Sequence, residues 1–128
     1  MIKLDHVAMY VHDLEKMKTF FVHYFSATAN KMYHNPNTGL KTYFLTFSDG
    51  TRLEIMSRPE VSKQQEDIYR GGYIHISFSV GSREKVDALT ATLKANGYAI
   101  QSGPRVTGDG FYESCVLGPE NNLIEITE

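Results

Sequence analysis

The feature of this sequence that most constrains its fold is an internal repeat. His6 stands in "LDHVAMYV" and His75 stands in "YIHISFSV", and each histidine is followed seven residues later by a candidate helix N-cap, Asp13 or Ser82. After each cap comes an amphipathic run with apolar residues at helical spacing. The two halves of the chain therefore begin in the same way, with a strand and then a helix.

The later parts of the two halves also match. Gly39 precedes Glu54 by 15 residues, and Gly110 precedes Glu125 by 15 residues. Between each glycine and its glutamate lie a strand-like run and a turn, and Asp-Gly in the first of these turns, "SDGT", indicates a two-residue hairpin. Each half thus contains a strand, a helix and two or three further strands, which is a βαβββ module.

The repeat predicts an α+β fold in which two tandem βαβββ modules form a cleft. Module 1 covers about residues 1–57, a polar connection covers about 58–72, and module 2 covers about 73–128. We predict that the 128 residues form a single domain, because a chain of this length can bury one sizeable core.

Composition excludes several classes of partner. The net charge of −2 and the pI of about 6.2 give no electrostatic reason to expect nucleic acid or an anionic membrane, so a small molecule is the expected ligand. No stretch has the length of a membrane span, and charged residues interrupt the only candidate signal-peptide core. The single cysteine, Cys115, cannot form an intrachain disulfide, which favours a cytoplasmic protein with a buried structural thiol.

Two histidines and two glutamates occupy equivalent places in the repeat. His6 and Glu54 are 48 residues apart, and His75 and Glu125 are 50 residues apart. Each glutamate stands between large apolar residues in a strand, and strand alternation places those neighbours on the opposite, core face. A single strand histidine or glutamate is more often structural. Four repeat-matched positions instead favour one shared site for a divalent metal ion.

The chemistry of these four side chains suits a transition metal. Two neutral imidazoles and two carboxylates offset the charge of a dication, and the mixed N/O set fits Ni²⁺, Zn²⁺, Co²⁺, Fe²⁺ or Mn²⁺ better than Ca²⁺. On a six-coordinate ion, four protein ligands leave two positions for water or substrate oxygens, and catalysis needs such open positions.

The paired modules, the His/Glu/His/Glu set and the ending "LGPENNLIEIT" resemble the vicinal oxygen chelate superfamily and, within it, glyoxalase I, also called lactoylglutathione lyase. The resemblance covers essentially the whole chain. It implies that His6, Glu54, His75 and Glu125 are the metal ligands. It also implies a homodimer, in which two-module chains often exchange halves. The short chain resembles the compact bacterial glyoxalases, which prefer Ni²⁺ or Co²⁺. We expect Ni²⁺ or Zn²⁺ ahead of Co²⁺, Mn²⁺ or Fe²⁺.

The resemblance also implies a reaction, which serves to detoxify methylglyoxal. A thiohemiacetal of a 2-oxoaldehyde is converted to a 2-hydroxyacyl thioester through a metal-stabilised enediolate. Glu125 is our choice for the base, and Glu54 is the other candidate. Relatives that hold the metal with three ligands use two histidines and one glutamate. In this sequence Glu54 would be a fourth ligand.

The sequence departs from glyoxalase I at the substrate. Tyr10 replaces the arginine that anchors the glutathione carboxylate, and Arg58 replaces a neighbouring asparagine, so the thiol need not be glutathione. We expect Arg58 and Arg105 to bind a different anion, and Tyr10, Phe111 and Tyr112 to line an aromatic pocket.

Two alternative functions remain open at this point. One is other chemistry of the superfamily, either thiol transfer to an epoxide or extradiol ring cleavage by oxygen. The other is a non-catalytic protein that binds a small molecule or an antibiotic in the same cleft. The sequence also leaves open the true substrate, the metal, the identity of the base and the exchange of modules between chains.

Overall fold

The computed structural model describes residues 1–63 and 67–128, so the predicted connection at about 58–72 lies in part outside the described residues. The chain forms two compact units, Met1–Gln64 and Gln65–Glu128. Each unit contains one helix and one sheet. This architecture confirms the predicted α+β class of two βαβββ modules.

The described residues of the first unit form five strands and one helix. Its elements are β1 His6–Tyr10, α1 Leu14–Phe25, β2 Thr28–Ala29, β3 Tyr33–His34, β4 Lys41–Thr46 and β5 Arg52–Ser57. The strand order is β1-β5-β4-β2, and β3 also pairs with β4. Strand β1 runs parallel to β5, and the other pairs are antiparallel.

The second unit repeats this arrangement. Its elements are β6 His75–Ser79, α2 Arg83–Ala95, β7 Ile100–Val106, β8 Tyr112–Leu117, a 3₁₀ turn Pro119–Asn121 and β9 Leu123–Thr127. The strand order is β6-β9-β8-β7, with β6 parallel to β9 and the other pairs antiparallel. The strand order and the direction of each pair therefore match those of β1, β5, β4 and β2.

The two units differ at the outer strand of each sheet. In the second unit this strand is β7, which runs unbroken with shifts of register, whereas the first unit has the two short strands β2 and β3. Asn30 follows β2, and its side-chain Oδ1 accepts a hydrogen bond from the N–H of Phe44 at 2.8 Å. The side chain thus takes the place of a backbone carbonyl, and the ladder is interrupted there.

Both helices begin at the predicted N-caps. The side chain of Asp13 accepts a hydrogen bond from Lys16 N–H at 3.0 Å, and that of Ser82 accepts one from Lys85 N–H at 3.3 Å. Helix α2 ends just before Gly97, which has a φ of 91°, a conformation that glycine adopts without steric cost. Within the described ranges, neither helix is long and apolar enough to cross a membrane.

The core of each unit lies between its helix and one face of its sheet. Leu53 and Ile55 of β5 are buried, and helix α1 packs on β4 and β5. Ile124 and Ile126 of β9 are buried in the same way, and helix α2 packs on β7, β8 and β9. Because side chains alternate along a strand, the glutamate between each buried pair lies on the opposite face.

The turn between β4 and β5 differs from the predicted two-residue hairpin. Phe47 N–H donates to the carbonyl of Thr51 at 2.9 Å, which leaves residues 48–50 in the loop, with Gly50 at a φ of 87°. Asp49 stabilises this longer loop by accepting hydrogen bonds from the N–H and the hydroxyl of Thr51 at 2.9 and 2.8 Å. The predicted two-residue hairpin loop is therefore wrong, because the loop has three residues.

Candidate metal centre

The first predicted ligand pair is formed by two neighbouring parallel strands. Ala8 of β1 is the register partner of Glu54 on β5, so His6 lies two residues away on the same face of the sheet. His6 Nε2 is 3.9 Å from Glu54 Oε1. The imidazole is about one-third exposed and the carboxylate is 17% exposed, so both can reach a ligand from solvent.

The second pair has the same geometry. Ser77 of β6 is the register partner of Glu125 on β9, and His75 again lies two residues away on the same face. His75 Nε2 is 3.4 Å from Glu125 Oε2, and the two side chains are 35% and 22% exposed. The repeat in the sequence is therefore a repeat of two His–Glu pairs in identical strand register.

The atoms of each pair are spaced as donors to one metal ion would be. Metal–N and metal–O bonds of roughly 2.0–2.2 Å place two donors about 3.0 Å apart at adjacent octahedral positions and about 4.2 Å apart at opposite positions. The two observed N–O distances, 3.9 and 3.4 Å, fall inside this range. In residues 1–63 and 67–128, no three His, Cys, Asp or Glu side chains form one metal-holding group. Each unit thus offers two donors, and a site with all four remains a prediction.

His6 lies in a small polar and aromatic cluster. Asp5 Oδ2 lies 2.6 Å from His6 Nδ1 and accepts a second hydrogen bond, from Arg52 Nη2, at 2.5 Å. The Arg52 guanidinium lies over the Phe44 ring at 4.7 Å, and that ring meets the His6 imidazole edge-on with centroids 5.2 Å apart. The hydrogen bond from His6, followed by the charge of Arg52, lowers the pKa of Asp5, which keeps this carboxylate ionised as an acceptor.

Glu125 lies beside a second acid and a thiol. Cys115 of β8 is its register partner, and Glu113 lies two residues before Cys115 on the same face. Burial disfavours the charged carboxylate and is the first cause of a raised pKa at Glu113, and the neighbouring Glu125 is the second. Burial, followed by the charges of Glu125 and Glu113, raises the pKa of the Cys115 thiol.

The predicted burial of Cys115 is wrong. The residue is intermediate in exposure, because its strand position places it on the glutamate face of the sheet, away from the core face. The neighbouring positions Ser114 and Val116 are the buried ones in this strand. The raised pKa of its thiol disfavours the thiolate, which is the form that acts as a nucleophile.

Tyr10 and Arg58, two of the predicted substrate-binding residues, lie together. Tyr10 follows His6 by four positions within β1, which places it on the same side of the sheet, and Arg58 directly follows the end of β5. They line a cavity of about 390 Å³ with Glu60, Val61 and Ser62. Arg58 donates from Nε and Nη2 to the two carboxylate oxygens of Glu60, at 2.7 and 3.4 Å. These bonds, and then one to Tyr10, raise the pKa of Arg58.

The other three predicted substrate-binding residues belong to the second unit. Arg105 of β7 is exposed and is the register partner of Glu113, so it lies on the Glu125 side of its sheet. Phe111 is 55% exposed and directly precedes β8. Tyr112 lies on the opposite side of the sheet, where its hydroxyl donates a hydrogen bond to Asp87 of helix α2 at 2.5 Å. The structure therefore separates Tyr112 from the face that carries Glu125.

Three carboxylates beside the predicted residues were missed by the sequence analysis. Asp5 adjoins His6, Glu60 follows Arg58 by two positions, and Glu113 precedes Cys115 by two positions. Strand alternation could have placed Glu113 on the face of Cys115. Its pairing with Glu125 required the register between β8 and β9, which the sequence does not state.

Comparison with known proteins gives one family and one curated relative. The family model described as "Glyoxalase/Bleomycin resistance protein/Dioxygenase superfamily" matches residues 3–126. The uncharacterized protein YqjT of Bacillus subtilis (strain 168) is 27% identical over 127 residues, and the alignment covers 96% of each chain.

Solved structures with the same fold include proteins of different activities. A glyoxalase family protein from Bacillus cereus has a TM-score of 0.85 at 15% identity, covering 100% of this chain and 94% of the other. The fosfomycin resistance protein FosX from Listeria monocytogenes, in complex with Mn(II) and sulfate, has a TM-score of 0.76 at 25% identity, covering 99% and 93%. The trypanothione-dependent glyoxalase I of Leishmania major has a TM-score of 0.79 at 21% identity, covering 100% and 87%.

Proposed function

Because the chain belongs to the glyoxalase/bleomycin resistance protein/dioxygenase superfamily, as its sequence motifs predicted, we propose that it is a metal-dependent lyase of the glyoxalase I type. The reaction converts the thiohemiacetal of a 2-oxoaldehyde, such as methylglyoxal, into a 2-hydroxyacyl thioester. The observation that carries this proposal is the second His–Glu pair, in the same strand register as the first. Together the two pairs provide two carboxylates, Glu54 and Glu125, where three-ligand chemistry would need one.

In this proposal His6, Glu54, His75 and Glu125 together hold one divalent ion. The two N–O distances suit this role, and the donor chemistry favours Ni²⁺ or Zn²⁺, with Co²⁺, Mn²⁺ and Fe²⁺ as further candidates. The Mn(II) complex of the similar protein FosX supports a divalent metal in general. When bound, the ion would act as a Lewis acid on the two substrate oxygens.

Glu125 is the proposed base. It would remove the proton from C1 of the thiohemiacetal and return it to C2, so that no proton is gained or lost overall. One neighbour supports this role, because Glu113 lies on the same face as Glu125 and has a raised pKa, caused first by burial and then by Glu125, so it can hold a proton close to the base. The strand partner of Glu54 is the apolar Phe44, which cannot do so.

The cavity beside Tyr10 and Arg58 is the proposed site for the non-reacting end of the thiol. Arg58 supplies a positive charge, but Glu60 already binds its guanidinium. An anionic group of the substrate must therefore share the guanidinium of Arg58 with Glu60, or displace the Glu60 carboxylate from it. Arg105 and Phe111 are proposed to contact the substrate from the second unit. Tyr112 is not proposed to contact it, because its hydroxyl donates a hydrogen bond to Asp87.

We also propose that the protein acts as a homodimer, as is typical of this superfamily. We propose a cytoplasmic location as well, since the proposed substrate is an adduct of small metabolites.

The test is turnover of hemithioacetals by protein stripped of metal and reloaded with one ion at a time. Methylglyoxal is combined with glutathione, cysteine and 2-mercaptoethanol in separate assays, and thioester formation is followed by ultraviolet absorbance. We expect turnover with at least one metal, and none after chelation or in the His75→Ala variant. A wild-type protein that binds metal and turns over none of the adducts would contradict the proposal.

Opening of an epoxide is the second candidate, because FosX is 25% identical to this chain over nearly its whole length. One FosX structure contains Mn(II) and 1S,2S-dihydroxypropylphosphonic acid. The discriminating assay is consumption of fosfomycin with Mn²⁺, with and without added thiol. Consumption of fosfomycin without turnover of hemithioacetals would favour this candidate.

A further inference from the structure

The environment of His6 includes a carboxylate that is not among the predicted ligands. Asp5 Oδ2 is 2.6 Å from His6 Nδ1. Because an ionised carboxylate can only accept, the hydrogen lies on Nδ1, which leaves Nε2 unprotonated in the neutral ring. Nε2 is the atom that lies 3.9 Å from Glu54 and is therefore free to bind a metal ion.

The carboxylate of Asp5 is itself fixed in position. Arg52, the register partner of His6, donates from Nη2 to the same oxygen at 2.5 Å. The Arg52 guanidinium also lies over the ring of Phe44, and this ring packs edge-on against His6 at an interplanar angle of 84°. The imidazole is thus held by a hydrogen bond on one side and by an aromatic contact on another.

The second unit forms the same fold without this cluster. Ile74 precedes His75 where Asp5 precedes His6, and the register partner of His75 is Leu123 in place of Arg52. Cys115 takes the place of Phe44 opposite the glutamate. Since β6 and β9 pair in the same register as β1 and β5, the strand pairing itself does not require Asp5 or Arg52.

We propose that Asp5, held by Arg52, is a positioning residue that keeps His6 in the tautomer with Nε2 available and directs Nε2 toward the metal. This inference rests on the metal site of the proposed function. It adds that His6 is oriented by a carboxylate, whereas His75 has no equivalent of Asp5. A carboxylate bonded to the far nitrogen of a metal-binding histidine orients the ring and raises its basicity, and its loss typically lowers metal affinity by about 10–100-fold.

The first measurement is made on metal-free protein. Long-range ¹H–¹⁵N spectra of the histidine rings report which nitrogen carries the hydrogen, and the His6 signals are assigned with a His6→Gln variant. We expect neutral His6 in the Nδ1–H form in the wild type, and a shift toward the Nε2–H form in Asp5→Asn and Asp5→Ala. Asp49→Asn is the matched control, because it makes the same change in the same unit at a carboxylate that binds Thr51.

The second measurement is calorimetric titration of Ni²⁺ and Zn²⁺ into the same proteins, with thermal unfolding as a check on the fold. We expect affinity to fall about 10–100-fold in both Asp5 variants and to stay unchanged in Asp49→Asn. Wild-type affinity in Asp5→Ala, or a wild-type His6 in the Nε2–H form, would overturn the inference and leave the proposed function standing. A wild type that binds neither of these ions, nor Co²⁺, Mn²⁺ or Fe²⁺ in the same titration, would overturn both.

Discussion

At the scale of single residues, the two glutamates of the candidate site differ in their neighbours. Glu54 lies opposite an aromatic ring, Phe44, whereas Glu125 lies opposite Cys115 and shares its face of the sheet with Glu113. A carboxylate with an acidic neighbour can pass a proton along, and one beside a phenyl ring cannot. The repeat thus gives two carboxylates at equivalent strand positions with different proton environments.

The first prediction concerns these two glutamates. Glu125→Gln should lower kcat by about 10²–10⁴-fold, because it removes the base, while Glu54→Gln should act mainly through weaker metal binding. The measurement is kcat at saturating metal, together with metal affinity, for both variants. An equal loss of kcat in the two variants at full metal occupancy would contradict the assignment of the base to Glu125.

The second prediction concerns Glu113. The folded state raises its pKa, so the folded protein holds this proton more tightly than the unfolded chain and loses stability as the pH rises through the raised pKa. Glu113→Gln removes that loss. The free energy of unfolding of the metal-free variant, relative to wild type, should therefore increase with pH between the ordinary carboxyl pKa and the raised pKa of Glu113.

Urea unfolding at several pH values measures this difference. Glu84→Gln, at an exposed position of helix α2, is a control for the loss of one carboxylate. A relative stability of Glu113→Gln that stays constant across this pH range would show that the carboxyl pair does not exist in solution.

At the scale of elements, each unit orients its site through one helix on one face of the sheet. The helix covers the apolar side chains of the central strands, and alternation then leaves their glutamate on the open face. The start of each helix is fixed by a side-chain cap, Asp13 or Ser82. The caps follow β1 and β6 closely, so they also fix where the histidine strands end.

The third prediction concerns these caps. Asp13→Ala should lower the free energy of unfolding by about 1 kcal/mol, because the N–H of Lys16 loses its acceptor. Asp13→Asn should keep most of that stability, since asparagine caps helices equally well. Urea unfolding of both variants makes the comparison, and equal losses in the two would show that charge, and not capping, is what Asp13 contributes.

At the scale of the whole molecule, each unit carries two of the four predicted metal donors. His6 and Glu54 belong to the first unit, and His75 and Glu125 belong to the second. The proposed site with all four donors would therefore need one first unit and one second unit. In a dimer, these two units can come from the same chain or from different chains.

The fourth prediction distinguishes these two arrangements. One variant lacks the first pair, His6→Ala with Glu54→Ala, and the other lacks the second pair, His75→Ala with Glu125→Ala. If the units are exchanged, refolding an equal mixture should restore about a quarter of the wild-type metal sites by statistical pairing, because half of the dimers regain one intact site.

Calorimetric titration of Ni²⁺ into the refolded mixture measures the restored sites, with each variant refolded alone as the control. A mixture that binds no more metal than the separate variants would show that each site is built within one chain.

The sequence by itself determined the two modules, the helix caps and the His/Glu pairs. These features depend on local periodicity and on an internal repeat, which can be read without knowing which strands are neighbours. The same reasoning explains why Glu54 and Glu125 were expected opposite the core. The residues directly before and after each glutamate are apolar. They could be buried only if the carboxylate pointed to the opposite face of the sheet.

Only the tertiary structure decided which side chains meet across strands and turns. Asp5 meets Arg52, Arg58 is already bound by Glu60, Glu113 lies beside Glu125, and Tyr112 faces helix α2. Three of these four depend on the register between strands or on helix packing, and a shift of one residue would turn each side chain to the other face. The pairing of Arg58 with Glu60 depends on how the chain turns after β5, which a spacing of two residues does not specify.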